Sequence, residues 1–186
     1  MTMIGALLTS LVMAREYERG TLESLFVTPV GSGEILTAKA ATNFLLGMVS
    51  LAISMIFAAF VFDIPIRGSL TLLLAVSALF LIVALGLGLV ISTATKNQFL
   101  ACQFAIMGTF MPALMLSGFL YDILNMPPAV RALTYMIPAR YYVTLLQTLF
   151  LAGDIPSVII PCCITLGVFA VVLMGIARLK APKSLE

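Results

Sequence analysis

Charged side chains that could recognise a partner are concentrated in one short segment near the start of the chain, Ala14 to Glu34. The chain has ten basic and eight acidic residues, and six of them fall in this segment. Glu16, Arg19 and Glu23 are spaced so that they share one face of a helix. Carboxylates and a guanidinium on one face can form charge-assisted hydrogen bonds with a protein partner, which makes this an ionic docking surface. A second face is apolar and carries Leu22, Leu25 and Phe26.

Residues that interrupt helices lie on both sides of 21–28, which predicts a separate short helix there. Gly20 offers a break, and Thr21 offers an N-cap for the turn that follows. Pro29 ends the helix, because the residue before a proline avoids the helical region. Glu34 then starts a second helix that runs into the membrane. A helix that lies on a lipid surface is usually basic, whereas this one carries more acids than bases. The composition therefore favours a protein partner over lipid.

The remaining residue types offer little material for catalysis or metal binding. The chain has no histidine, and its three cysteines are spaced as in no known metal site. We interpret them as small packing residues within the spans: Cys102, Cys162 and Cys163. An intramembrane enzyme would need ionisable groups inside the bilayer, whereas the candidates lie at the ends of apolar runs: Asp63, Asp122 and Asp154. No GxxxxGKS or GxxxxGKT phosphate loop occurs. We therefore predict no catalytic residue, metal or cofactor, and a net charge of +2 is too small to suggest nucleic-acid binding.

The composition is that of a membrane protein. Hydrophobic residues make up 62% and charged residues 10% of the chain, with a mean hydropathy of +1.17, whereas soluble domains average about 45–50% and about 25%. Four uncharged runs each exceed the roughly 20 residues needed to cross a bilayer: Ala40–Phe62, Leu70–Ala94, Gln98–Tyr121 and Ser157–Ala177. Lipid offers the backbone no hydrogen-bond partners. We therefore expect an all-α, polytopic transmembrane bundle with spans over residues 34–62, 70–94, 98–121 and 157–177.

A shorter apolar run, Met1–Ala14, comes before the charged segment. We interpret it as a span cut off at its N-terminal end, because no basic residue precedes it as one would in a signal peptide. With alternating spans, seven Lys and Arg residues lie on one side of the membrane and three on the other. The positive-inside rule then places the charged segment 15–33 and the tail 178–186 in the cytoplasm.

The outer segment 122–156 is too long and too apolar for a solvated loop. Prolines interrupt it, and the 14-residue run Ala139–Ala152 is too short to span the bilayer. A run of that length suits a re-entrant helix, so we expect a re-entrant helical hairpin on the outer side. Tyrosines prefer the headgroup level, where we expect Tyr135, Tyr141 and Tyr142.

Two glycines lie inside the span over residues 70–94, at Gly86 and Gly88. Small residues in a span allow neighbouring helices to approach closely, so both positions predict helix contacts. The TKNQ sequence that follows predicts a tight turn, which would make the spans on either side of it antiparallel neighbours.

Three stretches resemble the membrane subunit of type-2 ABC exporters, specifically the C-terminal half of a bacterial multidrug-export-type permease. EYERGTLESLFVTPVGSGEILTAK is similar to the coupling segment of that family, and GLGLVISTATKNQ is the second stretch. The third, PALMLSGFLYDILNMPPAVRALTYMIPARYYVTLLQTLFLAG, is similar to the outer-loop signature. The three stretches follow in the order and spacing of the family and cover most of the chain. In the third stretch LYD stands where many relatives carry an extra proline.

The resemblance implies a six-span permease with a large outer domain between its first two spans. The first span, that domain and part of the second span would then fall outside this chain. It also implies a multi-pass protein of the inner (plasma) membrane, surrounded by lipid, that dimerises with a second permease copy. A separate cytoplasmic ATPase subunit would drive it, and a periplasmic accessory protein is left open.

By the same resemblance, the coupling segment docks into the ATPase and passes its closure to the spans, which alternate between inward and outward access. The residues assigned to this coupling are Glu16, Glu18, Arg19, Gly20, Thr21, Leu22, Glu23, Leu25 and Phe26. The expected substrate is hydrophobic or amphipathic and drug-like. Apolar, methionine-rich walls adapt to varied ligands, so the candidate lining residues are Phe44, Met48, Met55, Phe104 and Met107. The alternative is a non-transporting membrane anchor or assembly scaffold for the ATPase.

The charge distribution predicts a topology that thiol labelling can test. In the full-length protein with its native cysteines replaced, we expect a cysteine at Lys96 to be protected from an impermeant thiol reagent added to intact cells. A cysteine at Arg67 should react, because it lies on the side with fewer basic residues. Labelling of position 96 from outside would reverse the predicted orientation.

Overall fold

The computed structural model describes residues 3–19, 32–61, 67–95 and 97–180. All regular secondary structure in those ranges is helical, which confirms the predicted all-α class. The α-helices are α1 (Thr9–Arg19), α2 (Ser32–Phe60), α3 (Leu70–Thr95), α4 (Gln98–Ala105), α5 (Met111–Leu116), α6 (Pro128–Thr134), α7 (Pro138–Gln147) and α8 (Pro156–Lys180). Wider π turns precede α1, join α4 to α5 and extend α7: Met3–Leu8, Ile106–Phe110 and Thr148–Ala152.

Among the described residues, four helical stretches are long and apolar enough to cross a membrane: Ala38–Ala58, Leu70–Thr95, Gln98–Leu116 and Pro156–Leu179. The described part of the first apolar run, residues 3–14, is helical as well, and α1 continues past Ala14 to Arg19. Arg and Glu are good helix formers, so the end of the apolar run does not end the helix. The charges from Arg15 to Arg19 therefore belong to the last turns of a bundle helix. The separate short helix expected after Gly20 lies outside the described residues.

Helix α3 is the centre of the bundle. In its most apolar window 56% of the residues are buried, against 17–22% in the other three spans. It packs against α8 on one side and against α1 with its preceding π turn on another. A Cβ added to Gly86 would lie 3.0 Å from Leu173 Cβ, and one added to Gly88 would lie 2.6 Å from the Ala6 carbonyl oxygen. Both glycines thus permit close helix contacts, as predicted.

A tight turn joins α3 to α4. The Asn97 side chain accepts hydrogen bonds from the backbone N–H groups of Phe99 at 2.9 Å and Leu100 at 3.2 Å. This N-cap satisfies two of the N–H groups that the start of a helix leaves unpaired. Helices α3 and α4 also contact each other, as expected for spans that are neighbours in the sequence.

The predicted span 98–121 is shorter and less regular than expected. It widens into a π turn before Pro112, where the Met111 N–H bonds to the Ile106 carbonyl oxygen. Proline has no N–H and its ring crowds the preceding turn, which explains the wider turn. The helix ends at Leu116 and not at Tyr121, because Gly118 adopts a left-handed conformation (φ +87°) typical of helix C-termini.

The outer segment folds as two short helices, α6 and α7, each of which begins at a proline. With its π turn, α7 makes the predicted run Ala139–Ala152 helical. Gly153 ends it at φ +89°. The loop before α3 is tied to this end: the Gly68 N–H donates to the Leu149 carbonyl at 2.9 Å, and the Ser69 N–H donates to the Asp154 carboxylate at 3.0 Å.

The glycine contacts of α3 lead to a stability prediction. We expect Gly88→Ala to lower the free energy of unfolding of the full-length protein by about 1–3 kcal/mol, because the new methyl group would overlap the Ala6 carbonyl oxygen. Gly167→Ala is the matched control, since nothing lies within 4 Å of its added Cβ. That change should be neutral or stabilise by up to about 1 kcal/mol. Thermal unfolding in one detergent measures both, and equal midpoints would contradict the close contact.

Candidate functional site

One end of the bundle, which we call the charged end, is formed by Glu16, Glu18, Lys39, Asn97 and Gln98. Glu16 forms an ion pair with the Lys39 ammonium group, and 24% of each side chain is exposed. The pair joins α1 to α2 on either side of residues 20–31, which lie outside the described residues. Exposed ion pairs contribute only about 0–1 kcal/mol, so the main effect of this partly shielded pair is to fix the relative position of the two helices.

Glu18 links α1 to the start of α4. Its carboxylate accepts a hydrogen bond from the backbone N–H of Gln98 at 3.1 Å. Gln98 is the first residue of α4, where the helix dipole and unpaired N–H groups favour a negative charge by about 0.3–1 kcal/mol. The charged end therefore ties α1 both to α2 and to the turn between α3 and α4.

Only some of the residues predicted to couple the chain to an ATPase lie in the described part of the structure. Glu16 and Glu18 bond within the bundle, so their carboxylates brace the charged end. Arg19 is the last residue of α1, and the structure describes only its backbone. The other predicted positions lie outside the described residues: Gly20, Thr21, Leu22, Glu23, Leu25 and Phe26.

A buried polar pair that the sequence analysis missed joins α1 and α2 further inside the bundle. The Asn43 side-chain N–H donates to Thr9 Oγ1 at 3.0 Å, and the two residues are 6% and 1% exposed. Such bonds between membrane helices contribute about 1–2 kcal/mol in model peptides. The available signal was the amide at Asn43 in an uncharged span, because polar side chains there bond across helices.

A cavity of about 450 Å³ lies between α2, α3, α5 and α7. It is at the end of the bundle that the predicted topology places on the outer side of the membrane. One wall is aromatic, since the rings of Phe80 and Tyr142 stack 4.1 Å apart and nearly parallel. The Tyr142 hydroxyl shares a hydrogen bond with Ser77 at 3.0 Å, which holds the ring in place. The stacking and this hydrogen bond together fix the orientation of the aromatic wall.

The three tyrosines expected at the headgroup level differ in burial. Tyr142 is only 7% exposed, since its ring belongs to the apolar core and Ser77 supplies a buried partner for its hydroxyl. Tyr135 is exposed, and the Arg140 guanidinium lies 3.8 Å above the centre of its ring. Hydrogen bonding and charge from Arg140 lower the pKa of the Tyr135 hydroxyl. Tyr141 donates to the Tyr135 carbonyl oxygen at 3.0 Å, so these two tyrosines lie together at the surface.

The five candidate substrate contacts do not form one surface. Met55 lines the cavity, but Phe44 and Met48 are half-buried positions on α2 away from it. Phe104 and Met107 are 55% and 63% exposed on the outside of the bundle. Within the described ranges, no cluster of His, Cys, Asp or Glu is arranged to hold a metal ion. The cavity can therefore bind a ligand through apolar surface and hydroxyl groups.

Comparison with known proteins gives consistent matches over this chain. The family model described as "ABC-2 type transporter" matches residues 1–151. The chain is 48% identical over its full length to the probable multidrug ABC transporter permease YbhS of Escherichia coli, and covers 49% of that protein. It is 32% identical over 81% of its length to the probable multidrug ABC transporter permease YbhR, covering 41% of it. It is 28% identical over 99% of its length to the inner membrane transport permease YhhJ, covering 49% of it. The chain thus spans about half the length of the curated relatives it matches.

The buried pair between α1 and α2 can be tested with a double-mutant cycle. We expect Asn43→Ala and Thr9→Val each to lower the free energy of unfolding of the full-length protein by about 1–2 kcal/mol, because each removes the same bond. The double variant should lose less than the sum of the two, as it does for groups in contact.

Thr42→Ala is the control for this cycle, since the Thr42 side chain is exposed and its hydroxyl donates only to Ala38 of its own helix at 3.1 Å. It should change the unfolding midpoint little. Strict additivity of the two test changes in reversible unfolding experiments would contradict a direct bond.

Proposed function

This chain belongs to the ABC-2 type transporter family, and on that premise we propose that it is part of the transmembrane permease subunit of an ATP-driven exporter. The whole permease would lie in the inner (plasma) membrane as a multi-pass protein and move a hydrophobic or amphipathic, drug-like molecule out of the cell. Four membrane-length helices are consistent with this role. The names of YbhS and YbhR, which include the words "multidrug ABC transporter permease", support the substrate class.

Energy would come from a separate cytoplasmic ATPase subunit. The sequence holds no phosphate loop, so the chain is proposed not to be an enzyme itself. Closure of two ATPase subunits requires two permease copies, identical or not, which would pair within the lipid. A periplasmic accessory protein is compatible with this arrangement, and nothing in the described residues is assigned to it.

The bracing of the charged end is the observation that most strongly supports the coupling mechanism. Residues 20–31 connect α1 to α2, and these helices are bonded to each other at two levels, by Glu16 with Lys39 and by Asn43 with Thr9. A push on the connecting segment would therefore move both helices together. Glu18 would pass the same movement to the start of α4.

In this mechanism the residues that follow Glu18 contact the ATPase: Arg19, Gly20, Thr21, Leu22, Glu23, Leu25 and Phe26. Glu16 and Glu18 would transmit the movement from inside the bundle. ATP can shift the permease between inward and outward access only if the docked ATPase has different interactions with the two states. Phe44, Met48, Phe104 and Met107 remain candidate substrate contacts along the transport path, in addition to Met55.

Charge reversal in the coupling segment tests this proposal. We expect Glu23→Lys, in the full-length permease with its ATPase, to abolish substrate-stimulated ATP hydrolysis and co-purification of the ATPase. Like charges across a docked interface cost several kcal/mol, whereas the permease should still insert, because exposed charge pairs contribute only about 0–1 kcal/mol to folding. Leu25→Pro should have the same effect by breaking the short helix.

Arg131→Glu is the matched control, because it reverses an exposed charge on the predicted outer side. It should leave both measurements at wild-type levels. If Glu23→Lys also left them unchanged, the segment would not dock on the ATPase and the coupling proposal would fail. An ATPase that co-purifies with the wild type, in vesicles that show no ATP-dependent substrate flux, would favour the scaffold alternative.

A further inference from the structure

Helix α7 carries a positive charge far from the ends of the membrane spans. The end of α7 is level with the start of α3, because the loop before α3 donates a hydrogen bond to the Leu149 carbonyl oxygen. The start of α7 lies deeper, where Ala139 borders a small cavity together with Phe80. At 1.5 Å per residue, Phe80 lies about 15 Å along α3 from Leu70. Arg140 follows Ala139, so its backbone is well inside a hydrocarbon core of about 30 Å and deeper than the headgroup level.

The partners of Arg140 in the described ranges are neutral. Its guanidinium donates to the hydroxyl of Thr134 and lies 3.8 Å above the centre of the Tyr135 ring. No carboxylate forms an ion pair with it there. A charged side chain at this depth is costly, and in membrane proteins such residues mark ion and substrate pathways. Arg140 therefore lacks the anion that would compensate its charge in these surroundings.

The first turn of α7 favours an anion at the same place. Thr134 and Tyr135 precede the helix, so a guanidinium bound to them lies beside its start. The positive end of the helix dipole is at this start, and the N-cap residue Ile137 makes no side-chain hydrogen bond to it. In transporters, half-helices that begin within the membrane direct this end towards anionic groups of the substrate. The dipole and the guanidinium therefore act together.

The surroundings of Arg140 suit a ligand with an apolar part. Arg140 is half-buried and the Tyr135 ring beneath it is exposed, so a ligand can reach the guanidinium from outside the bundle. Leu133 and Met136 are also exposed beside Tyr135. The N–H donors of a guanidinium form a planar fork that fits a carboxylate or phosphate group with two bonds. The geometry therefore suits an oxyanion that is attached to an apolar body.

We propose that the start of α7 binds the exported molecule and that this molecule is an amphipathic anion. Arg140 binds its oxyanion group, and Leu133, Tyr135 and Met136 contact its apolar part. This inference rests on the proposed exporter function and adds the charge of the substrate and the residue that binds it. The depth of the site distinguishes such a molecule from a membrane lipid. Phospholipid headgroups lie at the ends of the spans, whereas a transported molecule must pass the middle of the membrane.

Equilibrium photolabelling of the full-length permease in phosphatidylcholine nanodiscs tests this site without any requirement for ATP. The probe is a fatty acid with a photoactivatable diazirine group in its chain, used at alkaline pH so that its carboxyl group is ionised. The competitors are decanesulfonate, which is an anion, and decanol, which has the same chain without a charge. We expect saturable labelling of the peptide that contains Tyr135 and Met136. Decanesulfonate should displace the probe, and decanol should not.

Substitutions of Arg140 test the role of its guanidinium. Arg140→Gln should weaken the affinity for the probe roughly 10- to 100-fold, the loss expected for hydrogen bonds to a charged group. Arg140→Lys should retain part of the affinity, because it keeps the charge and loses the planar fork. Arg67→Gln is the matched control, since the Arg67 guanidinium donates to the Leu151 carbonyl oxygen at 3.3 Å, beyond the opposite end of α7. It should leave the affinity unchanged.

Four results would overturn the proposal. Equal displacement by decanesulfonate and decanol would show that the site does not select a charge, and this comparison in the wild type decides even if Arg140→Gln fails to insert. Unchanged affinity in Arg140→Gln, with a lowered thermal midpoint, would show that Arg140 only attaches α6 to α7. Displacement by phosphatidylglycerol added to the nanodiscs would assign the site to a membrane lipid. The absence of saturable labelling would mean that another part of the full-length protein compensates Arg140.

The anion site and the exporter function can fail separately, because labelling needs neither ATP nor the ATPase. Loss of charge selectivity, with ATP-dependent flux of a substrate intact in vesicles, would reject the site alone. Charge-selective labelling in a permease that moves no substrate would reject the exporter function, and with it the role of Arg140 in transport.

Discussion

The close contact of α3 with its two neighbours sets the geometry of everything else in the bundle. Hydrocarbon provides no hydrophobic force between helices, so their association depends on packing and on a few polar bonds. At Gly88 the backbone of the turn before α1 touches the backbone of α3, and at Gly86 the side chain of Leu173 does so. With α1 and α8 held this near, the end of α1 reaches both Lys39 of α2 and the start of α4. If α1 lay farther from α3, Glu16 and Glu18 could not reach their partners on α2 and α4.

The two ends of the bundle differ in how closely their helices contact one another. At the charged end, short polar bonds join α1 to its neighbours, and each of them is weak by itself. At the other end, an open cavity with an aromatic wall lies between α2, α3, α5 and α7. Helix α2 takes part in both ends, since Lys39 and Asn43 lie near its start and Ser54 and Met55 lie beyond its middle. A displacement of α2 at the charged end would therefore change the width of the cavity.

The sequence predicts the helices well because the membrane imposes length and apolarity on them. The runs from Leu70 to Ala94 and from Ser157 to Ala177 match α3 and α8 within a few residues. Side-chain roles were harder to predict when the partner is distant in sequence. Tyr142 has the same residue type as Tyr135, but it is buried against α3, where Phe80 stacks on its ring and Ser77, 65 positions away, bonds to its hydroxyl. The cavity likewise combines residues that are far apart in the sequence, since its lining comes from α2, α3, α5 and α7. The coupling segment was assigned from motifs, and most of it lies outside the described residues.

The π turn at Ile106–Phe110 determines how the two parts of one span are rotated relative to each other. Its bond from the Met111 N–H to the Ile106 carbonyl spans five residues instead of four, which inserts one extra residue into the turn. One residue corresponds to a rotation of about 100° around the helix axis. Exchange of that bond for a four-residue one would turn α5, with Ser117 at its end, relative to α4, whose first residue is tied to α1. The winding of this one turn therefore sets which residues of α5 face the cavity.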